Sequence, residues 1–215
     1  MKYKNIIFDL DGTLSNSEKS ILTTLRLTFD EMGVSPPPKD ILMKFIGPPL
    51  KDSYIKYCRF TDEQASDGLR IYQKYYALYG RDLNELYPDI PRLLQTLKFH
   101  GASLYVATSK EQEAARYVLQ KLSVSHFFDG IYGANHDNSL SAKADILRVL
   151  IATERLSPED CVLIGDTIFD INGASQCNID CIAVSYGFNT YEELRNAGAK
   201  IVAGSVKELQ QLLLA

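Results

Sequence analysis

Asp9 and Asp11 are the residues around which this chain is organised. They close the run Ile6-Ile7-Phe8-Asp9-Leu10-Asp11-Gly12-Thr13-Leu14. Side chains alternate along extended backbone, so the two carboxylates can face one way while Leu10 faces another. Two close carboxylates repel unless a cation neutralises one or a proton sits on the other. Mg²⁺ is a hard cation that often takes one or two carboxylates together with phosphate oxygens. A carboxylate can also attack phosphorus to give an acyl phosphate, and a second acid beside it can then donate and accept protons. Gly12 allows the sharp turn that follows. The competing reading is an acidic turn that merely closes a strand.

Three further groups have side chains suited to the same chemistry. Thr108 and Ser109 follow an apolar run and precede a helical pattern, where hydroxyls, amides and a helix N-terminus can hold phosphate oxygens or cap the helix. Lys143 opens another helical pattern, against the macrodipole, which argues for a role beyond a solvated surface lysine. Asp166 and Asp170 span a strand end and the next helical turn. They either complete an oxygen-rich metal site with Asp9, or Asp170 simply caps a helix.

The elements that position these groups come next. Ile6–Phe8 reads as a buried strand. From about residue 86 strands and helices alternate, which implies βαβ units and a parallel sheet. Predicted strands cover Ser103–Ala107, Gly130–Gly133, Cys161–Ile164, Cys181–Val184 and Lys200–Val202. Predicted helices cover Pro91–His100, Gln112–Leu122, Lys143–Ala152, a segment opening at Ile171, and Val206–Leu214. Ligands of such sheets sit outside the carboxyl ends of the strands, so Asp9, Thr108 and Asp166 share one surface. Between residues 15 and 85 the signals are helical, with Ser17 as N-cap, helices at Ile41–Phe45, Lys51–Cys58 and Asp62–Tyr79, and no strand pattern. The fold class is therefore α/β: a Rossmann-like parallel-sheet core of residues 1–14 and 86–215, with an inserted all-helical cap of residues 15–85 hinged near Leu14–Ser17 and Asn84–Pro88.

The 215 residues suit one core with a modest insertion. A net charge of −4, with no basic block, argues against a nucleic-acid polymer as partner. No apolar run reaches membrane-spanning length. Met1-Lys2-Tyr3-Lys4 leads into the first strand without a signal-peptide pattern. Cys58, Cys161, Cys177 and Cys181 lack zinc-like spacing and read as free thiols, so a cytoplasmic location is expected. Nothing sets the oligomeric state.

Taken in order, Asp9-Leu10-Asp11-Gly12-Thr13, Thr108, Lys143 and Gly165-Asp166…Asp170 resemble the signature motifs of the haloacid dehalogenase superfamily, over essentially the whole chain. The resemblance implies an Mg²⁺-dependent phosphatase acting on a small-molecule phosphate monoester. Asp9 would be the nucleophile, Asp11 the general acid/base, and Thr108, with Ser109, the phosphate-binding residues. Lys143 would balance charge; Asp9, the Asp11 backbone carbonyl, Asp166 and Asp170 would hold the metal. Asp11 argues against dehalogenase and phosphonatase members, which lack it. The absence of histidine in residues 15–30 argues against the beta-phosphoglucomutase type. The loop Phe45–Lys51 is similar to the cap loop of phosphoglycolate phosphatase-like and 5′-nucleotidase-like members. Gly47, Pro48 and Lys51 are thus candidate specificity residues, unless the loop is only a rigid turn. Tyr54, Lys56 and Arg59 are further candidates for contact with a substrate's distal group, and Asn135-His136-Asp137 reads either as a loop near the site or as a solvated loop. Phosphoglycolate, 5′-nucleotide and pyrophosphate substrates all remain open. So does a non-enzyme alternative, a phosphate-responsive regulatory or binding module.

Overall fold

The computed structural model describes residues 1–137 and 139–215. Among them six strands form one parallel sheet in the order β5-β4-β1-β6-β7-β8. In chain order these are β1 (Asn5–Phe8), β4 (Ser103–Glu111), β5 (Gly130–Ala134), β6 (Cys161–Gly165), β7 (Asp180–Val184) and β8 (Ile201–Ala203). A separate antiparallel pair joins β2 (Ser15–Asn16) to β3 (Glu85–Leu86), Ser15 opposite Leu86. The helices are α1 (Glu18–Glu31), α2 (Lys39–Met43), α3 (Leu50–Cys58), α4 (Asp62–Tyr75), α5 (Ile90–Phe99), α6 (Gln112–Lys121), α7 (Lys143–Glu154), α8 (Ile168–Gln176), α9 (Tyr191–Asn196) and α10 (Val206–Leu214).

Residue alternation assigns the two faces of the sheet. Ile6 and Phe8 of β1, Leu104 and Val106 of β4, and Val162 and Ile164 of β6 pack with Leu93, Leu97, Val118 and Leu209 from α5, α6 and α10. Ile7, Tyr105, Ala107 and Leu163 face Ile146, Leu147 and Ala174 from α7 and α8. The helical crossovers that join parallel strands cover both faces, and that burial suits the β-branched runs. Each fully buried Leu or Ile here contributes about 1.5–3 kcal/mol.

Residues 15–85 leave the sheet after Leu14 and build their own cluster, in which Leu25, Phe29, Phe45, Ile46 and Tyr54 are buried. The Tyr54 ring stacks on Phe60 at 5.7 Å. The chain departs and returns through β2 and β3, a strand pair that the sequence reading placed inside a wholly helical segment. Strands of two residues are too short to show alternation.

Other boundaries moved for physical reasons. The helix expected over Asp62–Tyr79 stops at Tyr75 and widens into a π-helical turn, Tyr76–Gly80, and a 3-10 turn, Arg81–Leu83. Strand β4 runs past Ala107 to Glu111, with a register shift against β5 between those residues. Helix α8 begins at Ile168 rather than Ile171, because Thr167 and Asp170 form a capping box. Helix α9, absent from the sequence reading, is nucleated by the same device at Thr190 and Glu193. Ser17 stands at the start of α1 but makes no side-chain cap hydrogen bond.

Candidate active site

Asp9 is the first residue beyond β1, and its amide donates to the Ile164 carbonyl at 2.8 Å. That bond aims the buried carboxylate out over the carboxyl edge of the sheet. One of its oxygens accepts from the Leu10 amide at 2.7 Å. Lys143, in the first turn of α7, reaches the same place from the helix that covers the Ile7 face of the sheet. Its ammonium lies 2.9 Å from Asp9 Oδ1 and 2.9 Å from Asp170 Oδ1, and donates to the Ala107 carbonyl at 2.9 Å. This lysine is 4% exposed, so it is no solvated surface residue.

Asp166 follows β6 and is fully buried. It accepts from Thr13 Oγ1 at 3.2 Å and from the Phe188 amide at 2.8 Å. Asp170 serves two purposes. Its Oδ2 accepts from the Thr167 amide at 3.0 Å and from Thr167 Oγ1 at 2.6 Å, which caps α8. Among the described residues its Oδ1 is buried without a well-aligned hydrogen-bond donor, and the Lys143 ammonium lies 2.9 Å from it. Gly12 has φ +83°, and a Cβ there would collide with the Asp166 carboxylate, so the turn after Asp11 needs glycine.

Oxygens of Asp9, Asp166 and Asp170 lie within 4.8 Å of one another. Burial pushes the Asp9 carboxyl up to about 6, against the pull of Lys143 and with Asp170 adding to the rise. Burial, then Asp170 and Asp9, push Asp166 well above the ordinary carboxylate range. The Lys143 ammonium is held protonated because Asp170 and Asp9 outweigh the burial that opposes its charge. Four buried carboxylates (Asp9, Asp11, Asp166 and Asp170) therefore face two lysine cations, Lys143 and Lys110. With all four ionised the carboxylates would exceed the lysines by two charges, which one divalent cation would offset while favouring the ionised forms of Asp9 and Asp166, and the all-oxygen donor set suits a hard cation.

Lys110 is the site residue that the sequence reading left without a role. From the far end of β4 it donates to both oxygens of Asp11, at 3.0 and 2.7 Å. Its ammonium also sits 4.5 Å above the Tyr76 ring centre. The available signal was its place directly after Thr108-Ser109. Thr108 is buried, and its hydroxyl accepts from the Lys110 amide at 3.3 Å. Ser109 Oγ is buried without a partner among the described residues. One expectation is corrected here. The N-terminus of α6 is not free for a phosphate, because the Glu111 carboxylate accepts from the Glu113 and Ala114 amides at 3.2 and 2.8 Å.

The family model described as haloacid dehalogenase-like hydrolase matches residues 6–184. The chain belongs to this family. This haloacid dehalogenase-like hydrolase is 33% identical to a 5′-nucleotidase of Pseudomonas aeruginosa over 213 residues, 99% of this chain and 96% of that one. It is 31% identical to the tyrosine-protein kinase PtkA of Mycobacterium tuberculosis over 210 residues, 97% of this chain and 72% of that one. The solved structure of a predicted phosphatase from Clostridium acetobutylicum superposes with a TM-score of 0.96 at 36% identity, over 100% of this chain and 99% of the other. The haloacid dehalogenase-like hydrolase is an enzyme of the phosphatase type, a phosphoric monoester hydrolase. Among the described residues no helix is long and apolar enough to cross a membrane, and the four cysteines are free thiols.

A cavity of about 540 Å³ opens from Asp9, Asp11 and Thr108 between the helical segment and the sheet edge. Gly47, Pro48 and Leu50 line it, and Gly47 lies so close to Thr167 that a Cβ would stand 2.9 Å from its methyl. Lys51 does not line it; its ammonium is paired with Asp62 at 2.8 Å. Nor do the other three candidates for distal contact. Tyr54 is core, Lys56 lies over the Tyr57 ring at 5.2 Å, and Arg59 ends α3 in the left-handed region. Asn135 and His136 line the cavity, the near-site alternative of the two readings of that loop. Gln73 of α4 donates to the His136 carbonyl at 2.9 Å and ties the helical segment to that loop.

Proposed function

We propose that the chain is an Mg²⁺-dependent phosphatase that hydrolyses a small-molecule phosphate monoester through a phosphoaspartyl intermediate. The observation that carries this reading is the buried cluster of Asp9, Asp166, Asp170 and Lys143, with Asp11 beside it, from which Asp9 and Asp11 open onto one cavity. In this reading Asp9, the Asp11 backbone carbonyl, Asp166 and Asp170 hold the cation. When bound, Mg²⁺ supplies positive charge for the phosphate oxygens and for the carboxylates around it.

An Asp9 oxygen attacks phosphorus, and the bond from phosphorus to the substrate oxygen breaks. Asp11 gives its proton to that leaving oxygen. A water then loses a proton to Asp11 and attacks phosphorus; the Asp9–phosphorus bond breaks, and inorganic phosphate leaves. Thr108 and Ser109 bind phosphate oxygens, and Lys143 offsets the charge gathered on Asp9 and the phosphoryl group. An incoming phosphate dianion offers Lys110 a second partner, which releases Asp11 to carry the proton. Residues 15–85 act as a cap over a core of residues 1–14 and 86–215, a division supported by their separate cluster of buried side chains and by β2 and β3 at the crossing. Gly47 and Pro48 of the cap face the substrate. The free thiols agree with a reducing cytoplasm as the place of action.

The substrate belongs to the range already raised: phosphoglycolate-like, 5′-nucleotide or pyrophosphate. The likeness to the Pseudomonas aeruginosa 5′-nucleotidase favours nucleoside monophosphates as the second reading. The test is Mg²⁺-dependent phosphate release across phosphoglycolate, nucleoside monophosphates, sugar phosphates, pyrophosphate and an aryl phosphate, with Asp9→Asn as control. Metal-dependent turnover that vanishes in the variant is expected. No release from any compound would shift the assignment to a phosphate-responsive binding module.

A further inference from the structure

Three fixed cations line the cavity, and two of them are already occupied. Lys110 is bound to Asp11. Arg116 donates to the Ile131 carbonyl at 3.4 Å and lies 3.6 Å from Glu113. Arg81 differs. Among the described residues no carboxylate lies within ion-pair distance of its guanidinium, and its Nε is buried without a hydrogen-bond partner. The guanidinium stands at the cavity wall with no ion-pair partner among the described residues, so an anion bound there would gain a charge-assisted hydrogen bond.

Arg81 is nevertheless held in place. Its guanidinium carbon stacks 3.8 Å over the Tyr117 ring of α6. The Tyr117 hydroxyl is fixed in turn, donating to Asp82 at 3.0 Å. The backbone beneath is anchored as well, since the Arg81 carbonyl accepts from Asn84 Nδ2 at 2.9 Å. Asn84 Nδ2 also lies 3.1 Å from the Tyr76 hydroxyl and 3.3 Å from Ser20 Oγ. Such a network leaves the guanidinium oriented before any ligand arrives, so little side-chain freedom is lost on binding. The cavity links this position with the catalytic carboxylates through Tyr76, Ala77 and Ala114, and its volume exceeds what one phosphoryl group fills.

We propose that Arg81, braced by Tyr117, is a specificity-determining anion subsite that selects phosphate monoesters bearing a second anionic group, a carboxylate or a phosphate, away from the scissile ester. The proposal rests on the phosphatase reading for the orientation of the ester phosphate. It places selectivity on the 3-10 turn that precedes β3 and on α6 rather than on Lys51, whose charge is spent on Asp62.

Matched series test it: ω-carboxyalkyl phosphates and α,ω-alkanediol bisphosphates of increasing length, each against the uncharged n-alkyl phosphate. In the wild-type enzyme kcat/KM for one length of charged substrate should exceed that of its neutral partner, chiefly through KM. In Arg81→Gln the ratio should collapse by about 10- to 100-fold, the usual loss for a charge-assisted hydrogen bond. Arg81→Lys should recover part of it. The two charged series tell which anion is preferred. An unchanged ratio in Arg81→Gln, or no preference for charge at any length, overturns the subsite. A second measurement does not depend on turnover: ligand-induced melting shifts of Asp9→Asn and of Asp9→Asn/Arg81→Gln with Mg²⁺ and the same pairs. Failure of wild-type turnover on every phosphate would count against the phosphatase reading. The melting shifts would still decide the subsite, since equal shifts for charged and neutral ligands in Asp9→Asn sink it.

Discussion

Lys110 grips Asp11 with one ammonium against both carboxylate oxygens, at 3.0 and 2.7 Å, and the side chains of the pair are only 7% and 11% exposed. The contact crosses from the end of β4 to the loop after β1. Tyr76, from the π-helical turn of the helical segment, covers the ammonium. Lys110 is thus a positioning residue for Asp11. Lys110→Met should lower kcat by about 10- to 100-fold, a loss at the low end of what a proton donor contributes. Lys110→Arg should restore part of the rate, and steady-state kinetics on any turned-over phosphate reads both. An unchanged kcat in Lys110→Met would remove the positioning role.

Asp9→Asn keeps the shape and a hydrogen-bond acceptor but removes the attacking carboxylate. Turnover should fall by at least about a thousandfold, as for other groups that act as one catalytic unit. Cooperative thermal unfolding should persist. Near-normal turnover in a folded variant would falsify the nucleophile assignment.

Lys143→Met strips the compensating charge from Asp9 and Asp170. Breaking a buried pair by removing one partner costs about 3–5 kcal/mol. Urea titration of the metal-free protein should show a loss of that size. Added Mg²⁺ should recover part of it, because the cation answers the same carboxylates. A loss under about 1 kcal/mol, typical of exposed pairs, would mean that Lys143 balances little charge.

The raised acids predict how metal binding depends on pH. The folded Asp9 carboxyl titrates at about 6, above its ordinary value of 3.8, and Asp166 is raised further in the same direction. Between those limits the folded state binds more protons than the unfolded one, so the metal-free protein loses this stability as pH rises through the folded values. A cation bound only by the folded state offsets that loss. The Mg²⁺-induced rise in Tm should therefore be larger at about pH 8 than at about pH 5. Equal shifts at both pH values would contradict the assignment of these acids to the metal.

Lys51→Ala should change little. Its pair with Asp62 is 26% and 79% exposed, and such pairs contribute about 0–1 kcal/mol. KM should stay near the wild-type value in a panel assay. A large KM effect would restore Lys51 to the specificity loop.

The sequence by itself determined the strand-end acids. Asp9, Asp11 and Asp166 each follow an apolar run, and the parallel sheet implied by the alternation of strands and helices brings such positions to one edge. Lys143 and Asp170 were readable as companions because helix starts after those strands face the same edge. The tertiary structure alone decided the partners. Lys110 was visible in the sequence, but its bond to Asp11 depends on β4 continuing through a register shift, which periodicity does not encode. Glu111 takes the α6 amides that a reader of the sequence would give to phosphate. Lys51 turns to Asp62, while Arg81, ordinary in sequence, stacks on Tyr117 at the cavity wall with no ion-pair partner among the described residues. The division has one physical cause. Burial and backbone direction follow from local pattern, whereas a long charged side chain chooses among partners that only the folded chain brings within a few ångströms.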